Sequence, residues 1–267
     1  MKMKNLQTSL TSARYEFLTA EDLNLSTSAL AVISALFDEE IGYPAPAALY
    51  RAADDIPWKG APIAPPPEPR ASSQDLHVVL CVGHSRAGDS GAVAVDGKSE
   101  HAFYDEDIVD DVAESLGAFG YRVTVIREYE GSSYGKAMRW LAEKLLEIGA
   151  DLAFELHFNA SSNHGATGFE ALYWHKSTRS AEVAEAMQST QAAFYPARKN
   201  RGVEPLGDQA HERGVLFCSL PHCSSIILEP FFGTSLTEVR VYMSDEGRPL
   251  FVKMLAEGIH AGALTLL

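Results

Sequence analysis

Three strand-like runs in this chain end on side chains that can hold a cation or move a proton. LHVVLCVGH delivers His84, DLAFELHFNA delivers Glu155 and then His157, and SSIILEP delivers Glu229. Polar groups at the end of an apolar run are costly unless they are paired or bind something. A fourth candidate, Glu100, stands at or just before the start of a helical pattern whose apolar face is Phe103, Ile108, Val109, Val112 and Leu116. Two imidazoles and a carboxylate that converge with one position left open form the donor set of a catalytic zinc site, and a further carboxylate can then serve as base. Zinc lowers the pKa of its bound water to about 7. A glutamate beside it can accept the water's proton during attack and pass it to a leaving amine. The chemistry this predicts is hydrolysis of an amide. Taken singly, each residue has a plainer reading. A buried histidine is usually a hydrogen-bonded core residue, an acidic residue at a helix start usually serves the helix dipole, and Glu229, followed by Pro230, can close a solvated turn.

The elements that must bring these residues together alternate along the chain. Strand-like runs at 76–82, 121–126, 151–157, 168–174 and 224–230 are interleaved with helical patterns at about 103–118, 133–148 and 179–194, and a final helix places Leu250, Phe251, Met254, Leu255 and Ile259 on one face. That alternation predicts an α/β fold: an open, twisted, mostly parallel sheet with helices on both faces. The carboxyl ends of such strands are the edge where ligands bind, because the connecting loops diverge there. The stretch between 194 and 224 reads as a loop.

A composition break separates this region from what precedes it. In GAPIAPPPEPRASSQD, residues 60–75, five of sixteen residues are proline, so 58–75 reads as a semi-rigid linker. Residues 1–57 read as a small helical module, with Leu30, Ile33, Leu36 and Phe37 at helical spacing and a second helix expected after Pro44. It carries no motif with a chemical reading of its own. The domain expectation is therefore 1–57, 58–75 and a catalytic domain at 76–267.

The net charge of -14 excludes the basic footprint that a nucleic acid or an anionic membrane surface requires. Neither is expected as a partner. The most apolar stretch, ALAVISALF at 29–37, falls short of the roughly 18 residues needed to span a bilayer. MKMKNLQTSLTSARYEF has the lysines of a signal peptide without the apolar core that should follow, so cytoplasmic accumulation is expected. Three cysteines, Cys81, Cys218 and Cys223, in apolar settings are expected as free thiols, with a Cys218–Cys223 pair as the alternative.

Six motifs then stand in a telling order: VGHSRAGDSGA (82–92), SEHAFYDEDIV (99–109), ELHFNA (155–160), TGFEALYW (167–174), RGV (201–203) and IILEPFFG (226–233). Together they resemble the zinc-dependent N-acetylmuramoyl-L-alanine amidases over residues 76–267, with ELHFNA and EPFFG closest to the phage lysin branch. The resemblance implies one Zn2+ ion held by His84, Glu100 and His157, with Glu229 as the catalytic acid/base. It also implies a substrate, the amide joining muramic acid to the first L-alanine of the peptidoglycan stem, and release to the wall through a holin. For the module at 1–57 it implies cell-wall binding, or assembly into a virion. The chain departs from the family pattern at GHSR, where GHGG is usual, and at Tyr104, where asparagine is commoner.

Three further residues carry two readings each. Glu155 either holds a ligand or an entering amide, or pairs with an arginine. Arg86 either meets a substrate carboxylate or faces solvent. Asn159 either shapes the loop or contacts substrate. His222, seven residues before Glu229, is expected on the surface or lining the cleft. The competing functions are a zinc peptidase or deacylase acting on another amide, and an inactive wall-binding protein.

Overall fold

The computed structural model describes residues 72, 75–207 and 214–267. The expected N-terminal module and all but two residues of the linker lie outside the described residues. Six strands form one sheet: β1 (His77–Val82), β2 (Arg122–Ile126), β3 (Leu152–Leu156), β4 (Phe169–Trp174), β5 (Asn200–Leu206) and β6 (Ser224–Glu229), in the order β2-β1-β3-β6-β4-β5. The first four in that order are parallel. β4 pairs antiparallel with β6 and parallel with β5, so β4 and β5 run against the others. The sheet is thus open and mostly parallel, as the alternating pattern implies.

The expected helix at 103–118 starts earlier and is not uniform. It opens as α1 (Glu100–Phe103), widens into a π-helical turn over Tyr104–Ile108, and continues as α2 (Val109–Ala118). Ser99 caps it by accepting the Ala102 amide, so Glu100 is the first helical residue. After it come α3 (Tyr134–Ile148), α4 (Thr178–Phe194), α5 (Val215–Cys218), α6 (Leu236–Tyr242) and α7 (Arg248–Leu264). α3 and α4 begin at serine caps, Ser133 and Ser177, and α3 ends at Gly149, whose φ of 65° only a glycine adopts without penalty.

Alternation along the strands divides the core. Val78, Leu80, Val82, Leu152, Phe154, Leu156, Ile226 and Leu228 face α2, α4 and α7, with α7 packed on both of the others. The intervening residues, Ile227 and Glu155 among them, point to the opposite face, where α5 lies against β4 and β6 and meets α3. The stretch read as a loop contains β5 and α5. In β5 only Leu206 is buried, and Gly202 and Pro205 interrupt it. An edge strand tolerates that composition because one side of its ladder needs no partner.

An aromatic cluster ties the first helix to the loop after β6. Phe103 stacks on Phe251 at 6.1 Å and meets Phe231 edge-on at 5.8 Å, while Tyr242 packs against both Phe231 and Phe251. Phe103 is three residues from Glu100, and Phe231 two from Glu229, so this packing sets the distance between those carboxylates. Replacing Phe251 with alanine is expected to destabilise the protein by about 3–5 kcal/mol, read as a lower urea midpoint with an unchanged m-value.

Candidate metal centre

The register of the central strands aligns the polar residues. Val82 stands opposite Leu156, and Leu156 opposite Leu228, so β1, β3 and β6 end flush. His84 follows that row by two residues, and His157 and Glu229 by one. Chain connections leave β1 towards β2 on one side and β3 lies on the other, which opens a crevice at this edge.

His84 reaches the edge by a backbone turn rather than by extension. Its φ is 57°, in the left-handed region that non-glycine residues seldom occupy. Its Nδ1 is 2.9 Å from Asp89 Oδ1 and its Nε2 is 3.3 Å from Glu100 Oε2. Gly91, with φ of 72°, closes the same loop: a Cβ there would lie 2.6 Å from the His84 ring and 2.8 Å from Glu100 Oε2. His157 is held on both ring nitrogens. Nδ1 lies 2.7 Å from Glu100 Oε1, and Nε2 lies 3.1 Å from Glu155 Oε2, an ion-pair contact off the ideal hydrogen-bond direction. Tyr129 donates to the other Glu155 oxygen at 2.8 Å, and the Tyr104 hydroxyl donates to the His157 carbonyl. The partners of Glu155 in these contacts are thus a tyrosine and a histidine, not an arginine.

Glu100 lies between the two imidazoles, 3% exposed. It also accepts the backbone amides of Ala92 at 3.2 Å and Phe158 at 3.1 Å. One donor atom each from His84, Glu100 and His157 lies within 4.8 Å of the others. Two donors held at tetrahedral angles on one zinc sit about 3.3 Å apart, which is the separation of His84 Nε2 and Glu100 Oε2. The neighbouring acids Asp105 and Glu106 are engaged elsewhere, with Arg127 and Lys98.

The electrostatics follow from this crowding. Burial opposes charge on His84, yet its contacts with Asp89 and Glu100 prevail and raise its pKa to about 9. Burial likewise opposes ionisation of Glu100, and the two imidazoles overcome it, lowering the pKa to about 2. Glu229 shows the reverse. Burial raises its pKa to about 8, helped by the charges of Glu100 and Glu170 against those of His157 and His84. Its Oε2 is buried with no hydrogen-bond partner among the described residues.

Directly opposite Glu229, on β4, is Glu170. Its Oε1 accepts from the Asn159 side-chain amide and its Oε2 from Arg201 Nε, at 2.9 Å for the latter. Glu170 and Arg201 carry no signal in the strand-end pattern, because they sit at the starts of β4 and β5, and only the antiparallel run brings those starts to this edge. Asn159 shapes its loop as well: its backbone N–H donates to the Phe231 carbonyl at 2.7 Å, and its backbone carbonyl accepts from the Gly233 N–H at 2.9 Å. Arg86 is half-buried in the loop after His84, its backbone bridged to Tyr129. His222 does not line the cleft. It precedes the start of β6, one strand length, about 16 Å, from Glu229. Cys81, Cys218 and Cys223 are free thiols.

An α/β sheet that brings to its carboxyl edge a His-Glu-His cluster able to hold a metal ion, with a further carboxylate beside it, is an architecture suited to hydrolysis. The sequence pattern of a family described as N-acetylmuramoyl-L-alanine amidase matches residues 78–261. The chain belongs to that family of peptidoglycan amide hydrolases. No curated protein matches it in sequence. Among solved structures, it is similar to the N-acetylmuramoyl-L-alanine amidase AmiC2 of Nostoc punctiforme, with 23% identity and a TM-score of 0.55 over 71% of this chain and 97% of that one. It is also similar to the amidase Ami1 from Mycobacterium smegmatis, with 19% identity and a TM-score of 0.59 over 73% and 100%. A third likeness is to the catalytic domain of the CD27L endolysin targeting Clostridia Difficile, with 23% identity and a TM-score of 0.54 over 69% and 97%. Among the described residues no helix is long and apolar enough to cross a membrane.

The raised pKa of Glu229 has a thermodynamic signature. Below an ordinary carboxylate value of 4.5 folded and unfolded chains are both protonated there. As pH rises towards 8 only the folded chain keeps the proton, so stability falls through that window. In metal-free protein, Glu229→Gln should therefore raise Tm relative to the parent at pH 9 and leave it nearly unchanged at pH 4, measured by differential scanning calorimetry.

Proposed function

We propose that the chain is a zinc-dependent amidase that cleaves the bond between N-acetylmuramic acid and L-alanine in peptidoglycan. The observation that carries this reading is the convergence of His84, Glu100 and His157 near Glu229, whose Oε2 is buried with no hydrogen-bond partner among the described residues, in a member of this family. The donor set suits the ion. Two neutral imidazoles and one carboxylate leave a tetrahedral position open for water or substrate.

His84 presents Nε2 and His157 presents Nδ1, each fixed by a carboxylate on its other nitrogen, Asp89 and Glu155 respectively. Glu100 supplies the third donor. A bound zinc ion supplies Lewis acidity, which polarises the scissile carbonyl and makes hydroxide available near neutral pH. Glu229 manages the proton. Positive charge beside it favours its carboxylate form, which accepts a proton from the attacking water and delivers it to the departing alanine nitrogen. The free amine leaves with a proton gained and the acid with a hydroxyl, so the hydrolysis balances.

The lysin-like motifs ELHFNA and EPFFG support a role in cell lysis, with the enzyme held in the cytoplasm until a holin opens the membrane. Expression that lyses cells only together with a holin fits this; secretion by the general pathway without one refutes it.

Purified protein should carry about one zinc per chain, and His157→Ala should lose it, by elemental analysis. Chelation should abolish release of stem peptides with a free alanine amino group from sacculi, by mass spectrometry, and zinc should restore it. Glu229→Ala should bind zinc normally while kcat falls about a hundredfold to ten-thousandfold. Cuts inside the stem instead would point to a peptidase, and undiminished lysis by Glu229→Ala would exclude Glu229 as acid/base.

A further inference from the structure

The clamp on Glu170 leaves one cation with unspent donors at the edge where the amide is to be cleaved. Arg201 donates Nε to Glu170 at 2.9 Å, and its guanidinium lies over the Phe232 ring, 5.2 Å from the centroid. Its two terminal nitrogens make no hydrogen bond to any described residue. The side chain is 33% exposed. Its plane is fixed from two sides, by the ion pair and by the ring, so two parallel N–H groups are presented without the loss of rotamer freedom that a loose arginine would incur. The position is close to the chemistry. Glu170 stands directly opposite Glu229 in the β4–β6 ladder, and Gly202, next to Arg201, stands opposite Glu170 in the β4–β5 ladder.

We infer that Arg201 is a specificity-determining residue that binds a free carboxylate of the stem peptide through its terminal nitrogens. The inference rests on the amidase reading and adds to it the charge state of the peptide selected. A pre-oriented guanidinium fork matches a carboxylate with two parallel hydrogen bonds. Glu170 and Phe232 are then what aim the fork, and Asn159 holds the second Glu170 oxygen so that the carboxylate cannot rotate away. An arginine present only to neutralise Glu170 would serve that end from any side, with no need of the aromatic face beneath it. This assigns Arg201 a binding role, leaving bond cleavage to the residues around Glu229.

The test compares two muramoyl-peptides that differ only in whether the stem carboxylates are free or converted to carboxamides, with full-length, zinc-loaded protein. The parent should show a KM about tenfold to a hundredfold higher for the amidated substrate, with kcat nearly unchanged. Arg201→Gln should raise KM for the free-carboxylate substrate to the same extent and lose the discrimination, and Arg201→Lys should recover part of it. Since the first comparison uses the parent alone, misfolding of a variant cannot obscure it. Equal kcat/KM for both substrates with the parent, or discrimination retained by zinc-loaded Arg201→Gln, overturns the assignment and leaves the amidase reading standing. Cleavage of neither substrate by the parent overturns both.

Discussion

A nearly buried carboxylate must be compensated, and the way Glu100 is compensated governs the edge of this sheet. Two backbone amides, from Ala92 and Phe158, and two imidazoles, His84 and His157, meet it. Those partners come from the loop after β1 and the loop after β3, while Glu100 itself begins α1. One anion thus pins three separate chain segments to a common point, and each segment has a local reason to comply. Ser99 caps the helix start, Gly91 admits the close approach of His84, and Phe103 anchors the helix in the aromatic cluster.

Around that point the charges are deliberately one-sided. Asp89, Glu100 and Glu155 surround two imidazoles, and Glu229 and Glu170 stand just beyond. In the metal-free molecule the imbalance is met by protons: His84 and His157 titrate well above the ordinary imidazole value despite burial, which by itself would lower both. A divalent ion bound between them would release those protons. Glu229 is raised chiefly by burial, with the charges of Glu100 and Glu170 adding to it against those of His157 and His84. The separation of roles follows: Asp89 and Glu100, which touch a histidine, are held in the ionised form, and Glu229, whose carboxyl touches none, is left to move a proton.

Much of this was legible in the sequence, for a physical reason. In a mostly parallel sheet, strands buried on both faces are continuous apolar runs, so a polar residue where such a run ends marks the ligand edge. His84, His157 and Glu229 stand out on that ground alone, and the register that makes β1, β3 and β6 flush brings them together. Glu100 was legible as a residue at a helix start. The π-turn after it was not, since a single wide turn leaves the helical periodicity of Phe103, Ile108 and Val112 recognisable. The tyrosine it carries, Tyr104, bonds a backbone carbonyl of His157, a contact that no side-chain pattern encodes.

Strand direction is what the pattern omits. An apolar run has the same appearance whether the chain runs up or down, and an edge strand such as β5, with Arg201, Gly202, Glu204 and Pro205, does not look apolar at all. Reversing β4 and β5 carries their first residues to the edge where β1, β3 and β6 finish, so Glu170 comes to lie beside Glu229 although its motif, TGFEALYW, reads as an ordinary strand start. Sequence logic that searches strand ends will miss this half of the crevice wherever a parallel sheet acquires reversed strands.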